Sequence, residues 1–110
     1  MNLLNGSKFS IKKEGVTMVT STYNKVADAL PDTKDFQRAM GEILSRHVCG
    51  DWGDVCAHDA KVNEDALKSG ARILSAYTVA GIKLWVISDA AWNEDPLLRQ
   101  VTTILRPEDY

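Results

Sequence analysis

The stretch HVCGDWGDVCAHD, residues 47–59, places two histidines, two cysteines, three aspartates and a tryptophan within thirteen positions. Two kinds of chemistry could use such a set. The first is metal ligation: His47-x-Cys49 and Cys56-x-His58 form a symmetric pair of nitrogen/sulfur ligand pairs, the donor types that suit zinc. Structural zinc sites more often separate paired ligands by two to four residues, and His47 has a competing place on a helix, so two free thiols are the preferred reading. The second is acid–base chemistry. His47 titrates near neutrality, and Asp51, Asp54 or Asp59 could orient it, with Asn63, Arg46 and Arg72 within plausible reach. Neither a nucleophile nor a phosphate-cradling glycine loop accompanies this cluster. Its simpler explanation is local: Asp51 and Asp54 bond loop amides, Asp59 caps a helix, and His47 ends one.

Recognition is the third use of such residues. GDWGD, residues 50–54, reads as a compact structural turn: Gly50 and Gly53 permit unusual backbone angles around Asp51 and Trp52, and the indole turns inward beside His47. Carboxylates left facing solvent would then carry contacts to a partner, with Asp54, Glu64 and Asp65 as the candidates. Trp92 sits in the polar run NEDP and is the tryptophan expected to be exposed, while Trp85 and Tyr77 read as sheet residues.

The elements that hold these residues follow from periodicity. FSIKK and VTMVT alternate weakly, with Glu14-Gly15 between them, and suggest a hairpin. Thr20, Ser21 and Thr22 offer caps for a short helix that Pro31 stops. Phe36, Met40, Ile43, Leu44 and His47 recur at helical spacing and predict a helix over 34–48, capped by Asp32 or Thr33 and ended by Gly50. Asp59 is expected to cap a third helix, with Val62, Ala66 and Leu67 on its buried face and Gly70 at its end. RILSAYTVAGIKLWVIS predicts two strands around an Ala80-Gly81 turn, and VTTIL one more, closed by Pro107. AAWNEDPLLRQ is a longer connection, with a turn of helix expected after Pro96. The order implies an α+β fold: a C-terminal antiparallel meander of about three strands, with a weak N-terminal strand, packed by two to three helices. An edge strand must then be covered, either by a second copy or by the 89–100 connection.

A chain of 110 residues is expected to be one domain, with residues 1–7 frayed. Its apolar fraction of 45% and charged fraction of 25% are those of an ordinary globular protein. The net charge of −2 lacks the basic footprint of a nucleic-acid binder, so nucleic acid is not the expected partner. Charge is uneven, however: residues 47–65 carry Lys61 against Asp51, Asp54, Asp59, Glu64 and Asp65, a local net of −4. No segment approaches the roughly 18 apolar residues of a membrane span. The N-terminus lacks a secretory signal, and two cysteines without one suggest a cytoplasmic setting.

The motifs RHVCGDWGD, Asp59 with Asn63, Ala66-Leu67, Gly70 and Arg72, then SAY at 75–77, Lys83 with Trp85, and TTILRPEDY at 102–110 form a joint pattern. In this pattern the chain resembles a family of small uncharacterised bacterial proteins of plasmids, genomic islands and other mobile elements. The resemblance covers roughly the last two-thirds of the chain, and residues 1–15 fall outside it. Cys49 and Cys56 are not part of the pattern, and AAWNEDPLLRQ is longer than the usual connection. The resemblance implies a genomic habitat and no mechanism. The function expected is a non-catalytic accessory protein of a mobile element that binds a protein partner, with an acidic face that could modulate host machinery. A homodimer is a second possibility, and no cofactor is expected. The alternative is a small hydrolase-like enzyme centred on His47, Asp51, Asp54 and Asp59.

Overall fold

A computed structural model describes residues 6–91 and 95–110. The chain enters through two short strands, β1 (Ser10–Ile11) and β2 (Val16–Met18), joined by a 3-10 turn at Lys13–Gly15. Helices α1 (Thr20–Ala29), α2 (Thr33–Val48) and α3 (Ala57–Ser69) follow. Strands β3 (Ile73–Val79), β4 (Ile82–Ser88), β5 (Leu98–Arg99) and β6 (Thr102–Leu105) lead to a final 3-10 turn, Pro107–Asp109. The fold is α+β, with a mixed four-stranded sheet in the order β2-β6-β4-β3 and a separate two-stranded pair, β1-β5.

Helix α2 shows why the stripe matters. Asp32 caps it, its Oδ1 accepting from the Lys34 amide at 2.8 Å and the Asp35 amide at 3.3 Å. Met40, Ile43 and His47 are buried along one face, with Phe36 and Leu44 half-buried beside them. The C-terminus closes in a Schellman motif: Gly50, at φ +78°, donates to the His47 carbonyl at 3.2 Å, and Asp51 donates to the Arg46 carbonyl at 2.9 Å. Chain direction thereby reverses within two residues and delivers the GDWGD loop to the sheet.

The sheet separates two faces. Ile73, Ser75, Tyr77 and Val79 on β3 register with Ser88, Val86, Leu84 and Ile82 on β4. On this face Tyr77, Leu84, Val86 and Ile104 meet Val26, Met40 and Ile43 in the main core. A second core joins Phe9, Trp52, Ala66 and Ile73. Trp85 lies on the opposite face from Tyr77, edge-on to the Tyr110 ring at 5.7 Å.

Five local expectations are corrected. The 9–18 segment is not a hairpin: β1 runs parallel to β5 and β2 parallel to β6, because the 3-10 turn preserves the chain's direction. Gly15 serves a close approach instead, since a Cβ there would overlap the Gln100 carbonyl oxygen. Asp59 does not cap α3; Cys56 occupies that position without a side-chain bond, and Asp59 lies in the first turn. Val62 is 46% exposed, while Asn63 takes the buried place expected for it. Similarly, Val19 precedes α1 as its cap residue without a side-chain bond, and Thr22 is buried, donating to Asp109 Oδ2 at 2.6 Å and accepting the Arg106 amide at 2.9 Å. Pro96 begins a turn that leads into β5, not a helical turn.

The edge of β3 is covered by neither of the expected partners. The Ala76 amide donates to the Trp52 carbonyl at 3.1 Å, and the Asp54 amide donates to the Ala76 carbonyl at 2.7 Å. Asn63 completes the edge: its Nδ2 donates to the Leu74 carbonyl at 2.8 Å, and its Oδ1 accepts the Leu74 amide at 3.1 Å. A loop and one side-chain amide thus occupy the outward backbone groups of Leu74 and Ala76, which another strand would need. The frayed start expected for 1–7 lies mainly outside the described residues. None of the described helices is long and apolar enough to cross a membrane.

Candidate functional site

The GDWGD loop is anchored from both sides. Arg46 Nε donates to Asp51 Oδ2 at 2.6 Å, and the Arg46 guanidinium lies 4.6 Å above the Tyr77 ring. Tyr77 donates its hydroxyl to the Asp51 carbonyl at 2.7 Å, and burial pushes that phenol up to about 12. The Arg46 hydrogen bond holds Asp51 below the ordinary carboxylate range, with the Gly53 amide assisting. At Gly53, φ is +73° and a Cβ would meet the Ala76 carbonyl and the Tyr77 ring. Trp52 turns inward, 7% exposed, its ring stacked 6.3 Å from Phe9 and edge-on to His47 at 6.3 Å.

His47 is sealed. Ser75 Oγ lies 2.6 Å from its Nδ1 and Ser88 Oγ 2.9 Å from its Nε2, so a neutral ring donates through one nitrogen and accepts through the other. Ser88 Oγ is in turn 2.8 Å from Thr102 Oγ1. His47, Ser75 and Ser88 are fully buried, and Phe9 closes the ring's flank at 5.1 Å. Burial, with Arg99 nearby, pushes the imidazole down to about 3, which keeps it uncharged near neutrality. The expected His47–carboxylate cluster is therefore not assembled: hydroxyls occupy both nitrogens, and Asp51 is committed to Arg46. The hydrolase-like arrangement of His47, Asp51, Asp54 and Asp59 loses its general base.

The other candidates are dispersed. Asp54 accepts from Thr78 Oγ1 at 3.3 Å, and Asp59 is exposed. Glu64 is not a free surface carboxylate: it accepts the Trp52 indole N–H at 2.9 Å and pairs with Lys8 at 3.0 Å, and the Lys8 bond depresses its titration. Asp65 pairs with Lys61 at 3.2 Å, an exposed contact worth little. Arg46 and Lys8, from outside the stretch, thus offset half of its local charge of −4 in space. Arg72 leaves the cluster to donate to the Tyr110 hydroxyl at 2.8 Å. Cys49 is a half-buried free thiol, while Cys56 and His58 are exposed. Among the described residues no three His, Cys, Asp or Glu side chains are placed to hold a metal, so His47, Cys49, Cys56 and His58 are not assembled as a zinc site. Trp92 lies outside the described residues.

Two further features are not among the residues singled out by their type and spacing. One is Arg99, fully buried without a carboxylate: Nε donates to the Pro96 carbonyl at 2.8 Å, Nη1 to those of Ala71 at 2.6 Å and Asp89 at 3.1 Å, and Nη2 to that of Ala66 at 3.0 Å. A guanidinium beside the last turn of α3 also meets the negative end of that helix. The other is a half-open apolar groove of about 700 Å³ between the N-terminal segment and α2. Phe9, Ile11 and Val16 form one wall; Gly41, Leu44 and Val48 form the other, with Ser45, Cys49 and Lys13 also in the lining. Its size suits a binding site, and a mid-helix glycine followed by Ser45 was the one available cue. Comparison with family models, curated proteins and solved structures finds nothing that matches this chain.

Proposed function

We propose that this protein acts by binding another protein, through the groove between the N-terminal segment and α2, and not by catalysis. The observation that carries the reading is the groove itself: a concavity of about 700 Å³ lined mainly by apolar side chains, with Lys13 and Cys49 as its only titratable groups among the described residues. The apolar character of its described lining supports association over acid–base chemistry. The resemblance to mobile-element proteins supplies the proposed setting, an accessory protein acting on a host protein in the cytoplasm, where two free thiols remain reduced. Asp54 and Asp59, the carboxylates of the acidic stretch without an ion pair, form a secondary contact at most, and a second copy of the chain is the alternative partner.

The reading is tested by affinity capture from host lysate with three proteins in parallel: the wild type, Gly41→Leu, and the double variant Asp54→Lys/Asp59→Lys. The expected result is a partner held by the wild type and the double variant and lost by Gly41→Leu. Equal capture by all three would sink the groove reading. Loss confined to the double variant would transfer the contact to the acidic stretch.

A further inference from the structure

Gly41 has no role inside the chain. It sits in the interior of α2, where glycine weakens a helix relative to alanine, and it does not adopt a left-handed backbone. A Cβ built on it would meet nothing within 4 Å, so no neighbour requires its absence. It does line the apolar groove. Ser45 and Cys49 follow at helical spacing along the same wall, which leaves α2 with a low ridge there, flanked by Leu44 and Val48.

We propose that the groove receives an amphipathic helix of a partner protein, with an apolar stripe inserted between Leu44, Val48, Ile11 and Val16, its backbone passing over Gly41, and an acidic flank facing Lys12 and Lys13. This rests on the reading of the groove as the binding surface. Helix axes approach most closely where the side chains at the crossing are smallest, and Gly41 provides that crossing point. An extended strand finds no ladder on the α2 wall, whose amides bond within the helix. Charge selects the partner's flank. Lys13 is the charged residue of the lining, Lys12 precedes it, and both are exposed without an ion pair among the described residues. The neighbouring cations Lys8 and Arg46 are already paired with Glu64 and Asp51. Glu14 shares the 3-10 turn with Lys13 but lies outside the lining.

The test is selection of random displayed peptides of about 16 residues, long enough for a helix once docked, on the immobilised full chain. Selected peptides are then measured by fluorescence anisotropy, and their contacts mapped by amide NMR shifts. The expected peptides carry apolar residues at i, i+3 or i+4, and i+7, with Asp or Glu on one flank. They shift Gly41, Leu44, Ser45 and Val48, and lose at least about tenfold in affinity for both Gly41→Leu and Lys12→Glu/Lys13→Glu. Ser45→Leu repeats the blocking experiment should Gly41→Leu fail to fold, as judged by circular dichroism. Peptides that bind the groove but are basic or extended overturn the helix proposal and leave the groove reading standing. Peptides that map elsewhere and ignore both blocking variants overturn the two together, as does the recovery of no binder.

Discussion

A neutral imidazole held between two hydroxyls resists protonation, because a charged ring would be buried and would lose the acceptor role that one nitrogen plays. The His47 ring titrates at about 3 in the folded chain against an ordinary 6.5. Between those values the unfolded chain binds a proton that the folded one refuses, so stability falls as pH is lowered through this window. Asp51 and Glu64 are held below the ordinary carboxylate range, so their loss of stability comes at lower pH. From pH 6.5 to pH 4.5 the fall should be about 2 kcal/mol. Urea denaturation at several pH values measures it, and a flat profile would mean that His47 is hydrated or charged. Arg99 makes a second forecast at this scale. Arg99→Met keeps the aliphatic stem but leaves the carbonyls of Pro96, Ala71 and Asp89 without their donor. A loss on the order of 3–5 kcal/mol is expected, only partly recovered by Arg99→Lys, whose ammonium cannot reproduce the planar fork. The position of His47 was legible, since it completes an apolar stripe. Its partners were not, because Ser75 and Ser88 lie 28 and 41 residues away. Arg99 resembled any loop cation, and no local pattern distinguishes an arginine destined for four carbonyls.

Helix α2 and the β3–β4 hairpin are legible from local signals, whereas the pairings that β1 and β2 make with distant strands are not. Asp32, the Phe36-to-His47 stripe and Gly50 mark α2 within eighteen or so consecutive residues, each by short-range physics. The β3–β4 hairpin is equally local: its Ala80-Gly81 turn has φ of +50° and +78°, as a type I′ turn requires. Alanine is a poor choice at such an angle, so Ala80→Asn should stabilise the protein by about 0.5–1 kcal/mol, seen as a raised melting temperature. A lowered one would mean that the turn has another geometry. By contrast, β1 and β2 have only two and three residues, and their parallel partners lie near the other end of the chain. Alternation within so short a run cannot choose between a hairpin and a distant pairing. The groove was hidden for the same reason, since one of its walls is this misassigned segment. Its other wall gives a further forecast: Gly41→Ala should raise stability by about 0.5–1 kcal/mol, because helix propensity improves and the added methyl enters open space. A destabilised Gly41→Ala would show that the glycine serves the fold, and the argument for close approach by a partner would fall with it.

At the scale of the molecule, the two ends of the chain are interlocked. The Lys8 amide donates to the Val48 carbonyl at 2.7 Å, Ser10 to that of Leu97 at 2.8 Å, and Lys12 to that of Arg99 at 3.0 Å. Thr22 then ties α1 to the final turn through Arg106 and Asp109. Phe9 is fully buried, touching both His47 and Trp52. The N-terminal segment is thus a full member of the second core. It follows that the chain should unfold as one unit. Phe9→Ala tests this, with an expected cost of about 3–5 kcal/mol for an aromatic removed from a packed site. In a Trp85→Phe/Trp92→Phe background, tryptophan fluorescence reports on Trp52 beside Phe9, while far-ultraviolet circular dichroism reports on the helices and sheet as a whole. In urea both signals should move to the same lower midpoint, with an unchanged slope, because one cooperative structure has been weakened. If the N-terminal segment were merely attached to a self-sufficient remainder, fluorescence alone would shift and circular dichroism would hold its original midpoint. That separation would also make the groove wall detachable, and a partner helix would then have to order this wall on binding, with a corresponding loss of affinity.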